Sequence, residues 1–175
     1  MSIRYGTHAS ASKEAEFIHA ELAKQVQAGH VSVLPLKAVT SLQNLWLSLV
    51  AITPKVGRRL RPIFDFTWSR LNDIAESLDP IEENCFGGAL QSILKQVLKS
   101  DPRLGPVYLS KLDLADTYMR LWVRMEDALS VAFLIPKKTS SYTHQVGFHL
   151  SLPMGYIDSA PYFCMATETV ADLEN

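Results

Sequence analysis

At 175 residues, 47% hydrophobic and 20% charged, the chain has the apolar content of a folded domain, which excludes a disordered or fibrous protein. Seventeen basic residues against eighteen acidic ones leave a net charge of -1, so no global field recruits nucleic acid or membrane, and any basic surface is a local patch. Cys85 and Cys164 have no Cys or His beside them at metal-ligand spacing, and read as reduced core thiols instead of a zinc site or disulfide framework.

The N-terminal stretch MSIRYGTHASASKEAEF holds no apolar run of signal-peptide type. The longest apolar run, Leu45 to Ile52, is too short to span a bilayer, so an intracellular chain, cytoplasmic or nuclear and without a membrane partner, is expected. Ser10 or Ser12 can cap a helix whose first turn carries Glu14 and Glu16, with Phe17, Ile18, Leu22 and Val26 at helical spacing until Gly29 stops it. His19 and His30 read as surface or capping side chains with no function assigned. Leu45 to Ile52 then reads as a buried strand, Thr53 to Arg58 as a turn, and Leu60 to Phe66 as the returning strand. The hairpin tip carries Lys55, Arg58, Arg59 and Arg61, a run that suits either a solvated turn or a phosphate grip.

Leu90, Ile93, Leu94, Val97 and Leu98 mark a second amphipathic helix, ended by Ser100-Asp101-Pro102 and Gly105-Pro106. Strand-like segments follow at 107–112, 121–126, 129–135 and 146–152, with turn residues from Lys137 to Tyr142. Ser159 to Leu173 reads as a closing helix with Pro161 in its first turn. Strands and helices do not alternate regularly, so the fold class is α+β and not a doubly wound parallel sheet.

The segment from Val107 to Tyr118 is an apolar strand running into Asp113 and Asp116. Carboxylates at a strand end are placed to hold a divalent cation open to phosphate, and either aspartate suits equally well as the cap of the turn that follows. No Gly-x-x-x-x-Gly-Lys-Ser/Thr run occurs. Asp113-Leu114-Ala115-Asp116-Thr117 is one residue longer than the Asp-x-Asp-x-Thr of haloacid-dehalogenase phosphatases.

Ser110-Lys111-Leu112-Asp113-Leu114-Ala115-Asp116-Thr117-Tyr118 resembles motif A of reverse transcriptases. Leu152-Pro153-Met154-Gly155, followed by Ser159-Ala160-Pro161-Tyr162-Phe163, resembles their motif B. Arg61-Pro62-Ile63-Phe64-Asp65-Phe66 with Leu71-Asn72 is similar to their fingers motif, and Ile52-Thr53-Pro54-Lys55 to the fingers hairpin. The motifs stand in the family's order between Glu16 and Leu173. The resemblance, to RNA-directed DNA polymerases of retrotransposon and retroviral type, implies an α+β chain of reverse-transcriptase-like fingers with an incomplete antiparallel palm. It implies a helical lead-in over 1–31, fingers over 32–106 and a partial palm over 107–175.

The resemblance also implies roles. Asp113 would be the catalytic residue and, with the Leu114 carbonyl, a ligand of magnesium, because two-metal phosphoryl transfer neutralises attacking and leaving oxygens together. Arg61, Asp116, Tyr118 and Gly155 would bind the deoxynucleotide, with Arg61 as a bidentate clamp on the triphosphate. Lys55, Arg58 and Arg59 would grip the phosphates of an RNA or DNA primer–template. Met154 stands where retroviral enzymes often carry Gln, and Gly155 to Pro161 is one residue longer than the usual spacing. Motif C, Tyr-x-Asp-Asp, is absent, and no Asp-Asp pair occurs in the sequence. The family function of nucleotidyl transfer is therefore expected to be lacking in this chain alone, its second metal site incomplete and a sheet edge left uncovered for self-association. The reading from another class is a non-catalytic nucleic-acid- or protein-binding module derived from the fingers, and a third is a plain α+β domain in which Asp113 caps a turn.

Overall fold

The computed structural model describes residues 6–53, 57, 59–75, 86–109, 116–138 and 143–173. Helical spacing of small and apolar residues produces the first two elements, α1 (Ala9–Lys13) and α2 (Ala15–Gln27), which bury Ala11, Ala15, Ile18 and Leu22. The expected serine cap does not form: His8 and Glu14 hold the two N-cap positions without a side-chain bond. Ser10 Oγ instead accepts the Ile52 backbone N–H at 3.1 Å, so the hydroxyl serves a tertiary contact and not its own helix. Gly29 ends α2 at φ +79, with its N–H bonded to the Val26 carbonyl and that of His30 to the Gln25 carbonyl, the paired bonds of a Schellman turn.

Five strands follow: β1 (Val31–Pro35), β2 (Leu47–Thr53), β3 (Arg61–Asp65), β4 (Ala132–Ile135) and β5 (Gln145–His149). They form one mixed sheet in the order β1-β5-β4-β2-β3, antiparallel throughout except for the parallel β2–β4 pair. Strands from 31–65 and from 132–149 share this sheet, since β4 and β5 lie between β1 and the β2–β3 hairpin.

Strand alternation sends side chains to two faces. On one, Ile18 and Leu22 of the helices pack with Val31, Val50, Ile52, Phe133 and Ile135. On the other, Val39 from the short helix α3 (Leu36–Val39) packs with Leu47, Ala132, Leu134, Val146 and Phe148. Burying each large side chain contributes about 1.5–3 kcal/mol. Gly147 is required by the first face, because a Cβ there would stand 2.2 Å from the Phe133 ring. A third cluster of Phe66, Leu71 and Val131, with Tyr156 beside it, joins the sheet to helix α4 (Leu71–Ile74).

The hairpin expected from Leu45 to Phe66 is β2 and β3, and its tip residues Lys55 and Arg58 lie outside the described residues. The second amphipathic helix is α5 (Phe86–Lys99), and the last is α6 (Ser159–Leu173), with the bounds and the early Pro161 read from the sequence. Two expected strands are corrected. Residues 107–109 are irregular and exposed, with no ladder partner among the described residues, while 110–112 lie outside them. Segment 121–126 is also not a strand: Trp122 forms an isolated bridge to Ser151, and the carbonyl of Arg124 then accepts the Asp127 and Ala128 N–H groups in a turn. The segments 129–135 and 146–152 shorten to β4 and β5. Among the described residues no helix is long and apolar enough to cross a membrane.

Candidate functional site

Segments far apart in sequence meet at a cleft of about 460 Å³ bordered by residues of β1, β3 and β5. β3 contributes Arg61, Pro62 and Phe64, and a 3-10 turn at Thr117–Arg120 contributes Asp116, Thr117, Tyr118 and Met119. The end of β5 and the turn after it contribute His149, Ser151, Pro153 and Met154, and α2 closes the cleft with Glu21, Leu22 and Gln25.

Arg61 opens β3 opposite Thr53, and its exposed guanidinium has no hydrogen-bond or ion-pair partner among the described residues. Such a cation is available to an anion in the cleft. Asp116 sits at φ 52, ψ 41, a left-handed conformation that aspartate tolerates better than most side chains. This backbone leaves its carboxylate exposed at the cleft edge. Tyr118 is half-buried and meets Phe163 of α6 edge-on at 5.8 Å, so the closing helix positions its ring.

Gly155 adjoins the cleft at φ +101, where a Cβ would stand 3.1 Å from the Phe64 carbonyl oxygen. Its loop is clamped by Asn72, whose Nδ2 donates to the Gly155 carbonyl at 3.1 Å and whose Oδ1 accepts the Ile157 N–H at 3.1 Å. Ser159 Oγ donates to the Pro153 carbonyl at 2.7 Å and pins the other side. The Leu-Asn pair after the fingers motif thus has a structural task that sequence spacing does not disclose.

Arg59 is not open in the same way as Arg61. Its guanidinium pairs with Glu21, which also accepts from Lys24 at 2.6 Å. Chiefly through the Lys24 hydrogen bond, opposed by a smaller burial effect and assisted by Arg59, the Glu21 carboxyl is held below its ordinary pKa. Asp113 and Leu114, the expected metal ligands, and Lys55 and Arg58 lie outside the described residues. Among the described residues no group of three or more His, Cys, Asp or Glu side chains converges to hold a metal. Magnesium needs only one or two carboxylates when substrate phosphates complete its shell, and Asp116 is a carboxylate at the rim that fits this need. Glu21 is committed to its two cations.

His149 was not singled out by sequence reasoning. It is 3% exposed, lines the cleft, and packs against Phe64 edge-on at 4.4 Å and Phe133 at 4.8 Å. Its Nε2 is buried without a hydrogen-bond partner among the described residues. Burial alone pushes its pKa down to about 3, so the imidazole is neutral. The available signal was its place in the alternation of 146–152, on the same face as Gly147.

A larger groove of about 790 Å³ runs between α4, residues 121–124 and α6, lined by Leu71, Trp122, Arg124, Tyr156 and Tyr162. Burial, reinforced by Asp158, raises the Tyr156 hydroxyl to about 12. Among the described residues, neither Arg61 nor Asp116 nor Tyr118 borders this groove. Compared with known proteins, the chain matches no family model and no curated protein.

Proposed function

We propose that the chain is a fragment of a retroelement reverse transcriptase, comprising fingers and part of a palm, that binds a deoxynucleoside triphosphate and an RNA or DNA primer–template. One observation supports this above the others: Arg61 of the fingers motif, Asp116 and Tyr118 of motif A, and Met154 of motif B border one cleft.

In this reading Arg61 holds the triphosphate through charge-assisted hydrogen bonds. Tyr118 supports the sugar and excludes a 2′-hydroxyl by contact. Gly155 lets a base pair approach the backbone, and Asn72 keeps that loop in place. Asp113 and the Leu114 carbonyl, with Asp116 nearby, would hold magnesium, which supplies charge neutralisation on the phosphates when bound. Lys55, Arg58 and Arg59 contact nucleic-acid phosphates, and in Arg59 that contact competes with Glu21. A second reading, a non-catalytic nucleic-acid- or protein-binding module, draws on the absence of any Asp-Asp pair from the sequence.

The test is a titration of the chain with dATP and magnesium, with and without primer–template. Arg61→Ala should weaken dATP binding by about 10-fold or more, since hydrogen bonds to charged groups are worth about 1.5–3 kcal/mol. The chain alone should incorporate no nucleotide with magnesium or manganese. Binding of neither dATP nor primer–template would sink the proposal, and incorporation abolished by Asp113→Asn would overturn the inactivity.

A further inference from the structure

His149 is a buried polar side chain whose Nε2 has no polar partner among the described residues. Leaving such a group unsatisfied is costly, and Phe would satisfy the apolar packing against Phe64 and Phe133 better than imidazole does. Its location is also particular. It lies in the wall of the cleft that Arg61, Asp116 and Tyr118 border, at the end of β5 and two residues before Ser151. Ser151 is itself buried and lines the same cleft. The cleft is thus divided in chemistry: a cation at Arg61 with no partner among the described residues, and an uncharged polar wall at His149 and Ser151.

A ligand that matches both parts carries an anionic group and an uncharged polar moiety, as a nucleoside phosphate does. Building on the nucleotide reading above, we propose that His149 is a specificity-determining residue whose Nε2 hydrogen-bonds the uncharged nucleoside portion of the ligand, while Arg61 holds the phosphates. The nitrogen is closed to solvent and the partly buried Phe64 ring packs edge-on against the imidazole, so the proposal requires that ring to move aside for the ligand. A neutral imidazole supplies one donor and one acceptor, so it distinguishes a nucleoside from bare phosphate without adding charge. Sites that depend on a buried polar partner reject ligands lacking the matching group more strongly than apolar pockets reject size variants.

The experiment compares two probes, dATP and inorganic tripolyphosphate, each with magnesium, on the parent chain, Arg61→Ala, His149→Phe and His149→Gln. Arg61→Ala should weaken both probes. His149→Phe should weaken dATP by about 5- to 30-fold, the range expected for one neutral buried hydrogen bond, and leave tripolyphosphate within about 2-fold. His149→Gln should recover part of the dATP affinity, which a purely structural role would not produce. The parent chain, labelled with ¹⁵N in its histidines, provides a measurement independent of whether the variants fold: dATP should shift the His149 ring-nitrogen signals and tripolyphosphate should not. If both probes bind and His149→Phe affects them equally, or the ring signals stay still with dATP, this inference is overturned while the nucleotide reading stands. If the parent binds neither probe, both fall together.

Discussion

Lowering the pH should unfold this protein through His149 before its carboxylates titrate. The imidazole is buried against the rings of Phe64 and Phe133, and burial holds its pKa at about 3, against an ordinary value of 6.5. The unfolded chain therefore takes up the proton first. Above pH 7 His149 contributes no pH dependence; below 6.5 the stability falls as pH falls, and it continues to fall until the folded-state value near 3. At about 1.4 kcal/mol per unit, the full window corresponds to roughly 5 kcal/mol, a large share of the 5–15 kcal/mol typical of a domain. Glu21, whose lowered pKa makes it a stabilising carboxylate, loses that contribution only below its unfolded value of 4.5. The interval from pH 6.5 to 4.5 thus isolates histidine. There the parent should lose about 2–3 kcal/mol more than His149→Phe, measured by urea unfolding at several pH values and followed by tryptophan fluorescence. His144, also depressed by burial and by Lys137, titrates in both proteins and cancels in the difference. His149→Leu serves as a second variant should Phe overpack the site. Equal pH slopes in parent and variants, or a His149 proton resonance in the folded state that titrates near 6.5, would refute the argument.

Gly147→Ala should destabilise the sheet by about 1–3 kcal/mol or more, because its methyl group meets the Phe133 ring at 2.2 Å. Adding Phe133→Leu should recover part of the loss in a chemical-denaturation cycle, and strict additivity would contradict the clash. Asn72→Ala removes both bonds that clamp the Gly155 loop. It should cost about 1–3 kcal/mol in the thermal melt and weaken dATP binding, whereas unchanged affinity would detach the clamp from the cleft. Replacing Lys55, Arg58 and Arg59 together with Ala should flatten the salt dependence of primer–template binding by about one unit of log–log slope per lost phosphate contact. Unaltered slopes would mark the run as a solvated turn.

Helix α6, the Gly29 stop of α2 and the β2–β3 hairpin were legible from the chain alone, because their signals act within a few residues. Helical spacing selects a buried face, a left-handed glycine satisfies the last carbonyls, and two apolar runs flank a turn. That Arg61, Asp116 and Tyr118 border one cleft was beyond local reading, since nothing local to Arg61 specifies a neighbour more than 50 residues away. Strand pairing was beyond local reading for the same reason. Residues 107–109 have strand-like composition and no ladder among the described residues, whereas β4 is placed between β2 and β5 by partners distant in sequence. Tertiary packing likewise decided single side chains: it redirected Ser10 from its own helix to Ile52, and it set Asn72 to clamp the Gly155 loop. His149 shows the division most clearly. Its alternation put it on one face of a strand, and only the assembled sheet, helix α2 and the rings of Phe64 and Phe133 determined that this face is dry, leaving a neutral imidazole with an unmet hydrogen bond beside the cleft.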